Sequence, residues 1–259
     1  MAKSDFWRRT VTALIMAPVV IGSILLEFPY YNLLLLAVGA MLSWEWSNMV
    51  AVDKKATYTS IYTLSMATAV MLQSMFGILV MLLLAMIVVA VKSRGEKYRK
   101  LLVRGVPYIS LGIGSLMWLM IVFSSWAVLW LLFVVWAVDV GGYLVGCSVK
   151  GPKLAPKISP HKTWSGLLGG MLLSALIGWG LAYLFQWPEC RYYGLVAIIL
   201  AVVEQIGDLI ESAIKRKVGV KDSSDMVPGH GGVFDRVDGL IFTAPVLLLC
   251  VIIYSMYVY

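Results

Sequence analysis

The sequence predicts an all-α membrane protein that crosses the bilayer several times. Hydrophobic residues make up 61% of the 259-residue chain, and the mean hydropathy is +0.87; soluble domains contain about 45–50% apolar residues. Apolar stretches of about 16 to 24 residues recur along the chain, and about 20 such residues cross a bilayer as a helix. Basic residues are concentrated between alternate stretches. Together these features predict about nine transmembrane helices with a cytoplasmic N-terminus.

The predicted spans divide the chain into two transmembrane regions. Residues 1–106 contain four spans, and residues 107–259 contain the other five together with cytoplasmic loops at 147–165 and 215–239. We place the spans near residues 10–26, 32–50, 59–73, 76–91, 107–123, 126–146, 166–186, 192–214 and 240–258.

The distribution of Lys and Arg decides the number of spans in residues 59–91. This stretch could form two short transmembrane helices or one overlong helix. With two spans, every Lys and Arg in the chain except Arg191 lies on one side of the membrane. With one helix, more of them move to the opposite side. Because basic residues in short loops stay cytoplasmic, the nine-span arrangement is favoured.

The same arrangement explains the formal net charge of +7. We therefore expect no nucleic-acid partner, whereas a basic cytoplasmic surface favours contact with anionic membrane lipids. Cys147, Cys190 and Cys250 have neither paired nor metal-binding spacing, so no disulfide framework is predicted.

Acidic side chains occur where the bilayer disfavours them. Glu204, Asp208, Glu211 and Lys215 recur at intervals of three and four residues, which places them on one face of the eighth helix. Glu45 and Asp139 also fall within predicted spans, where a charge costs about 2.5–3.5 kcal/mol. Such acids either pair with basic residues as buried structural contacts or form a functional site.

Three of the acids favour the functional alternative. Asp208 lies within the eighth span toward its cytoplasmic end, and Asp235 and Asp238 return to the same cytoplasmic level just before the ninth. Mg²⁺ takes oxygen ligands and is commonly held by one or two carboxylates together with substrate phosphates. The clustering therefore predicts a divalent-cation site at the cytoplasmic ends of these helices.

Two basic loops next to these helices predict a binding site for phosphates. Residues 157–166 precede the seventh span, and residues 215–232 follow the eighth. Lys and Arg supply cationic donors, and Gly229, Gly231 and Gly232 let backbone N–H groups approach an anion. Lone loop histidines, here His161 and His230, more often orient backbone than bind zinc, and we give them a secondary role.

The charged segment resembles the phosphatidate cytidylyltransferase family, also called CDP-diacylglycerol synthases. The likeness extends upstream and covers essentially the whole helical layout. The residues that match the family pattern at the correct spacing are Ser212, Lys215, Arg216, Lys221, Asp222, Pro228, His230, Gly231, Gly232, Asp235, Arg236 and Asp238, with Asp139, Tyr143, Gly146, Ser159, Pro160, Lys162, Thr163 and Gly166 upstream.

The resemblance implies a reaction in which CTP and phosphatidic acid give CDP-diacylglycerol and pyrophosphate. It implies Mg²⁺ held by Asp208 and Asp235, a second cation such as K⁺, a homodimer, and a bacterial inner-membrane enzyme with a cytoplasmic active site. The catalytic candidates are Lys215, Arg216, Lys221, Asp222, Arg236 and Asp238. The substrate-binding candidates are Asp139, Ser159, Lys162, Thr163, Ser212, His230, Gly231 and Gly232.

Four positions depart from the family pattern. The family commonly has Arg, Lys, Glu and Ser where this chain has Cys147, His161, Ser165 and Gly239. None of these changes removes a predicted metal ligand. Because a thiol cannot replace a guanidinium charge, Cys147 affects how the triphosphate is bound near the sixth and seventh spans.

Two other classes of membrane protein share parts of this pattern. A CTP-dependent polyprenol or phytol kinase would use similar basic loops but would have to activate a neutral hydroxyl. A cation-coupled transporter would use Glu204, Asp208 and Asp139 as a relay, with the carboxylates near the bilayer centre. The longer motif match and the crowding of acids at one interface favour the cytidylyltransferase.

Overall fold

The computed structural model describes residues 3–51, 53–72, 75–227 and 231–258. The described residues form long α-helices and one short β-hairpin. The elements are α1 Lys3–Leu26, α2 Tyr30–Val50, α3 Lys55–Met71, α4 Met75–Lys92, α5 Arg99–Val122, α6 Ser125–Val149, β1 Lys153–Ala155, β2 Ser159–Thr163, α7 Trp164–Leu184, α8 Cys190–Val218 and α9 Phe234–Val258.

Six helices in the described part of the chain have the length and apolar composition needed to cross a membrane. They are α2, α5, α6, α7, α8 and residues Phe234–Met256 of α9, and Val11–Leu26 and Phe76–Lys92 form shorter apolar helices. The predicted all-helical membrane architecture is therefore confirmed. The count of about nine spans stays a prediction.

The chain divides into two compact units. The first comprises Met1–Ser125 and Lys217–Val237, and the second comprises Trp126–Arg216 and Asp238–Tyr259. Both α8 and α9 contribute residues to each unit, because two of the unit boundaries fall within these helices.

The first unit has a core built from α2, α3 and α5. Gly105 of α5 leaves room for Trp46 of α2, since a Cβ at position 105 would lie 2.3 Å from the indole Nε1. Buried polar side chains bond across the helices: the Tyr62 hydroxyl donates to the Leu102 carbonyl at 2.7 Å, and the Ser65 and Ser110 hydroxyl oxygens lie 2.7 Å apart. Such bonds satisfy polar groups that water cannot reach.

In the second unit, glycines bring α6 and α7 into close contact. A Cβ on Gly141 would lie 2.5 Å from the Gly169 carbonyl oxygen, so the two backbones approach more closely than larger residues would permit. Further along, Trp130 Nε1 donates to the Gly178 carbonyl at 3.0 Å. Small residues at helix contacts are typical of membrane bundles, where close backbone packing stabilises the interface.

Several helices extend beyond the predicted spans. Helix α8 continues to Val218 and α9 begins at Phe234, so Lys215, Arg216 and Asp238 lie on helices rather than in a loop. The loop at 147–165 contains the antiparallel hairpin of β1 and β2, in which Lys153 pairs with Thr163. Pro152, Pro156 and Pro160 are incompatible with a continuous helix there.

Candidate functional site

An acidic group forms in the second unit from Asp208 and Glu211 of α8 and Asp238 of α9. One carboxylate oxygen from each residue lies within 4.8 Å of the others. Residues three apart on a helix share a face, which brings Asp208 and Glu211 together. Asp238 reaches them because it lies on the first turns of the next helix.

Two lysines and a hydroxyl surround this acidic group. Lys162, at the end of β2, forms an ion pair with Asp208 Oδ2. The Ser212 hydroxyl donates to Asp208 Oδ1 at 3.2 Å. Lys215 Nζ lies 3.2 Å from Glu211 Oε1, and both side chains are largely buried, with 10% and 2% exposed. The hairpin therefore delivers one cation to the group and α8 delivers the other.

Glu204 adds another carboxylate one helical turn before Asp208. Its side chain is buried, and Oε2 has no hydrogen-bond partner among the described residues. Asp139, Lys162, Asp208 and Asp238 all lie within electrostatic range of it. Carboxyl groups therefore outnumber the two lysines in this part of the second unit.

These residues fit a divalent cation. Carboxylate oxygens are the ligands preferred by Mg²⁺, and three of them converge within a few ångströms. Three mutually close carboxylates repel one another unless a cation or protons compensate for their charge. Lys162 and Lys215 supply part of that compensation.

Asp235 belongs to the first unit, where it organises the loop before α9. Its Oδ2 accepts hydrogen bonds from Gly232 N at 2.9 Å and Ser223 N at 3.0 Å, and the Ser223 hydroxyl lies at 3.0 Å. Gly231 has a φ of +84°, a left-handed conformation that favours glycine. Asp235 therefore joins the segment near residue 223 to the turn that begins α9.

The other predicted site residues are divided between the two units. Thr163 caps α7 by accepting a hydrogen bond from Gly166 N at 3.1 Å, and Ser159 lies on β2. Asp139 is exposed on α6, and His230 lies outside the described residues. The predicted site residues in the first unit are Lys221, Asp222, Gly231, Gly232 and Arg236. Those in the second unit are Asp139, Ser159, Lys162, Thr163, Ser212, Lys215 and Arg216.

Three acidic residues were not assigned to the site from the sequence: Glu45, Glu204 and Glu211. Glu211 is part of the helical stripe through Asp208, and its spacing of three residues is the signal that could have included it. Glu45 of α2 contacts the loop before α9. No local sequence pattern predicts that contact, because it joins segments almost 190 residues apart.

Comparison with known proteins identifies the family of the chain. A family model described as "Cytidylyltransferase family" matches residues 7–254. A phosphatidate cytidylyltransferase of Rickettsia felis is 30% identical over 253 residues, which cover 95% of this chain and 92% of that protein. A protein of the same name from Rickettsia prowazekii is 34% identical over 233 residues, or 83% of this chain and 100% of that protein.

Identity is higher over a shorter segment. The phosphatidate cytidylyltransferase of Brucella suis biovar 1 is 46% identical over 127 residues, which span 49% of this chain and 47% of that protein. The matched segment therefore spans about half the length of this relative. Because the family model covers nearly all of the chain and the Rickettsia felis relative aligns along nearly all of it, the chain belongs to the cytidylyltransferase family.

Proposed function

We propose that this protein transfers the cytidylyl group of CTP to phosphatidic acid, giving CDP-diacylglycerol and pyrophosphate. The observation that carries the proposal is the family match over residues 7–254, together with relatives named phosphatidate cytidylyltransferase. The acidic group with Lys162 and Lys215 beside it supports the same chemistry. Neither the family match nor the names of the relatives favour the kinase or transporter alternatives.

The reaction needs little proton transfer from the protein. An oxygen of the phosphatidate phosphate attacks the α-phosphorus of CTP, the bond from that phosphorus to the bridging β-phosphate oxygen breaks, and pyrophosphate leaves. A phosphate monoester has a second pKa near 6, so the nucleophile is already largely dianionic at neutral pH. A site of cations and metal ligands without a strong general base suits this step.

The main barrier is the repulsion between two polyanions. Basic residues next to the reacting phosphates offset that repulsion and stabilise charge that develops on the leaving pyrophosphate. On this proposal, Asp222 and the glycines at 231 and 232 shape the loop around the phosphates, with His230 in a secondary role. The basic residues in question are Lys162, Lys215, Arg216, Lys221 and Arg236.

Mg²⁺ is the proposed cofactor, with a second cation such as K⁺ beside it. When bound, Mg²⁺ neutralises phosphate charge and orients the phosphates for in-line displacement. The family pattern assigns the metal to Asp208 and Asp235, and the geometry of the second unit adds Glu211 and Asp238 as candidate ligands. Ser212 would orient the Asp208 carboxylate through its hydrogen bond.

The proposed membrane arrangement brings both substrates to one site. Nine spans with a cytoplasmic N-terminus would place the basic loops at the cytoplasmic face of a bacterial inner membrane. CTP would arrive from water and phosphatidic acid from the adjacent leaflet. A homodimer is proposed on the family resemblance alone.

A labelled-nucleotide assay tests the activity. Purified protein with Mg²⁺, phosphatidic acid and CTP labelled at the α-phosphate should incorporate the label into lipid and release unlabelled pyrophosphate. In a parallel reaction that supplies a polyprenol or phytol, transfer of label from γ-labelled CTP to that alcohol would identify a kinase instead. No lipid product from either nucleotide, with Mg²⁺ and lipid supplied to folded protein, would refute the proposed function.

A further inference from the structure

A buried carboxylate on α2 accepts hydrogen bonds from two segments near the start of α9, residues 223–224 and 233–234. The Glu45 side chain is fully buried in the first unit. Its Oε1 accepts hydrogen bonds from the Ser224 hydroxyl and from Val233 N, the latter at 2.9 Å. Its Oε2 accepts one from Phe234 N at 2.7 Å, with the Ser223 hydroxyl at 3.3 Å. One side chain therefore joins three separate parts of the chain.

The position of this carboxylate suits the start of a helix. The first N–H groups of a helix have no partner within it, and the helix dipole places partial positive charge there. Val233 and Phe234 provide two such N–H groups at the start of α9. A carboxylate from a distant helix satisfies both, and bonds of N–H groups to a charged acceptor are stronger than neutral ones.

The surrounding packing leaves this arrangement little freedom. A Cβ at Gly232 would lie 1.8 Å from the Ser223 hydroxyl oxygen and 2.7 Å from Glu45 Oε1, so only glycine fits. The Phe234 ring packs against Tyr108 and Trp46, with centroid distances of 5.4 and 5.6 Å. The first residue of α9 is thus fixed by its backbone through Glu45 and by its ring through the aromatic cluster.

The geometry points to Glu45 as a positioning residue that holds residues 221–224 and 231–235 in the conformation required to bind CTP. This inference rests on the proposed function, because those segments carry Lys221, Asp222 and Asp235 of the proposed site. Glu45 acts through them: its bonds to Ser224, Val233 and Phe234 lie beside these residues in sequence. Asp235 completes the same arrangement by accepting bonds from Gly232 N and Ser223 N.

Hydrogen exchange tests the positioning without requiring turnover. Glu45→Gln keeps the side-chain shape but replaces one acceptor oxygen with an amide donor facing an N–H group. The Val233 and Phe234 amides should then exchange at least about tenfold faster, equivalent to about 1.4 kcal/mol of lost protection. Amides in the cores of α3 and α5 should keep wild-type rates. The matched control is Glu96→Gln, which removes a carboxylate of the same unit that pairs with Lys54 at the surface.

Kinetics then separate positioning from a general structural role. In Glu45→Gln the KM for CTP should rise about tenfold, and this change should be larger than the accompanying fall in kcat. Glu96→Gln should have the kinetic constants of the wild type. Glu45→Asp keeps the charge and should recover part of the CTP affinity. Wild-type exchange at Val233 and Phe234, or an unchanged KM for CTP, would overturn the inference.

A second variant and the exchange pattern of the wild type cover the cases in which Glu45→Gln does not fold or the enzyme is inactive. If Glu45→Gln does not fold, Ser224→Ala removes one donor to Glu45 and leaves the carboxylate in place. This variant should still accelerate exchange at residues 223–227 and 231–234. Equal acceleration at every amide would instead indicate a global loss of stability and refute local positioning. If the wild type makes no CDP-diacylglycerol, the proposed function fails, while the exchange result still decides whether Glu45 holds these segments.

Discussion

At the scale of single residues, the acidic group of Asp208, Glu211 and Asp238 predicts a loss of metal binding when its charge is reduced. Asn keeps one oxygen ligand but removes the negative charge that compensates for a divalent cation. Asp208→Asn and Asp238→Asn should each weaken Mn²⁺ binding by at least about tenfold, or about 1.4 kcal/mol. Electron paramagnetic resonance of free Mn²⁺ with purified protein measures this directly.

A matched control separates ligand loss from general damage to the protein. Glu189→Asn changes an exposed carboxylate that pairs with Arg191, and it should leave Mn²⁺ affinity unchanged. Asp208→Asn or Asp238→Asn with wild-type affinity would remove that residue from the metal site. Asp235→Asn tests the second metal ligand that the family pattern implies. If Asp235 binds the metal, this variant should bind Mn²⁺ more weakly. If Asp235 only organises the loop, the variant should keep its Mn²⁺ affinity and the turn at 231–235 should become less ordered.

The sequence predicts part of this site well. The positions of Asp208, Glu211 and Lys215 follow from helical spacing alone, because a single helix fixes which residues share a face. Which acid of α9 approaches them depends on the path of the chain between α8 and α9 and on where α9 begins. Lys162 likewise reaches Asp208 only through the hairpin, which no periodic pattern of the spans predicts.

At the scale of elements, the contact between α8 and α9 in the second unit predicts how Gly239 tolerates substitution. A Cβ at position 239 would lie 2.7 Å from Glu204 Cγ, an atom near the base of a buried side chain. Glu204 therefore fills space that a side chain at position 239 would occupy. Gly239→Ser should therefore destabilise this protein by about 1–3 kcal/mol through overpacking.

The loss of stability in Gly239→Ser should appear as a lower midpoint of thermal unfolding in detergent. Gly180→Ser is the matched control, because a Cβ at position 180 meets no atom within 4 Å. Shortening the opposing side chain in the double variant Gly239→Ser with Glu204→Ala should recover stability relative to Gly239→Ser alone. Equal midpoints for Gly239→Ser and Gly180→Ser, or no recovery in the double variant, would contradict this explanation of the contact.

The helices themselves were largely predictable from the sequence, whereas several of their ends were not. Apolar length identifies α6, α7 and α9 because a bilayer requires about 20 apolar residues. Helix α5 begins at Arg99, eight residues before the predicted apolar span. Charged and polar turns of this kind continue the backbone hydrogen bonds of a helix without changing its apolar pattern, so hydropathy alone cannot locate its start.

At the scale of the whole molecule, composition predicts a polytopic helical membrane protein, and the six long apolar helices confirm that class. The number of spans depends on shorter segments such as Val11–Leu26 and Phe76–Lys92, whose length alone does not decide whether they cross. The distribution of basic residues is therefore the stronger argument for nine spans. It assigns each loop to a side of the membrane, which experiment can check loop by loop.

Cysteine labelling in sealed cells provides that check. With Cys147, Cys190 and Cys250 replaced by Ala, single cysteines would be introduced in place of Lys157, Lys221 or Trp187. Because basic loops stay cytoplasmic, a membrane-impermeant maleimide should label position 187 in intact cells and positions 157 and 221 only after permeabilisation. Retained synthesis of CDP-diacylglycerol by the cysteine-free parent would confirm that the protein is intact. Strong labelling at position 221 in sealed cells would overturn both the proposed topology and a CTP site that faces the cytoplasm.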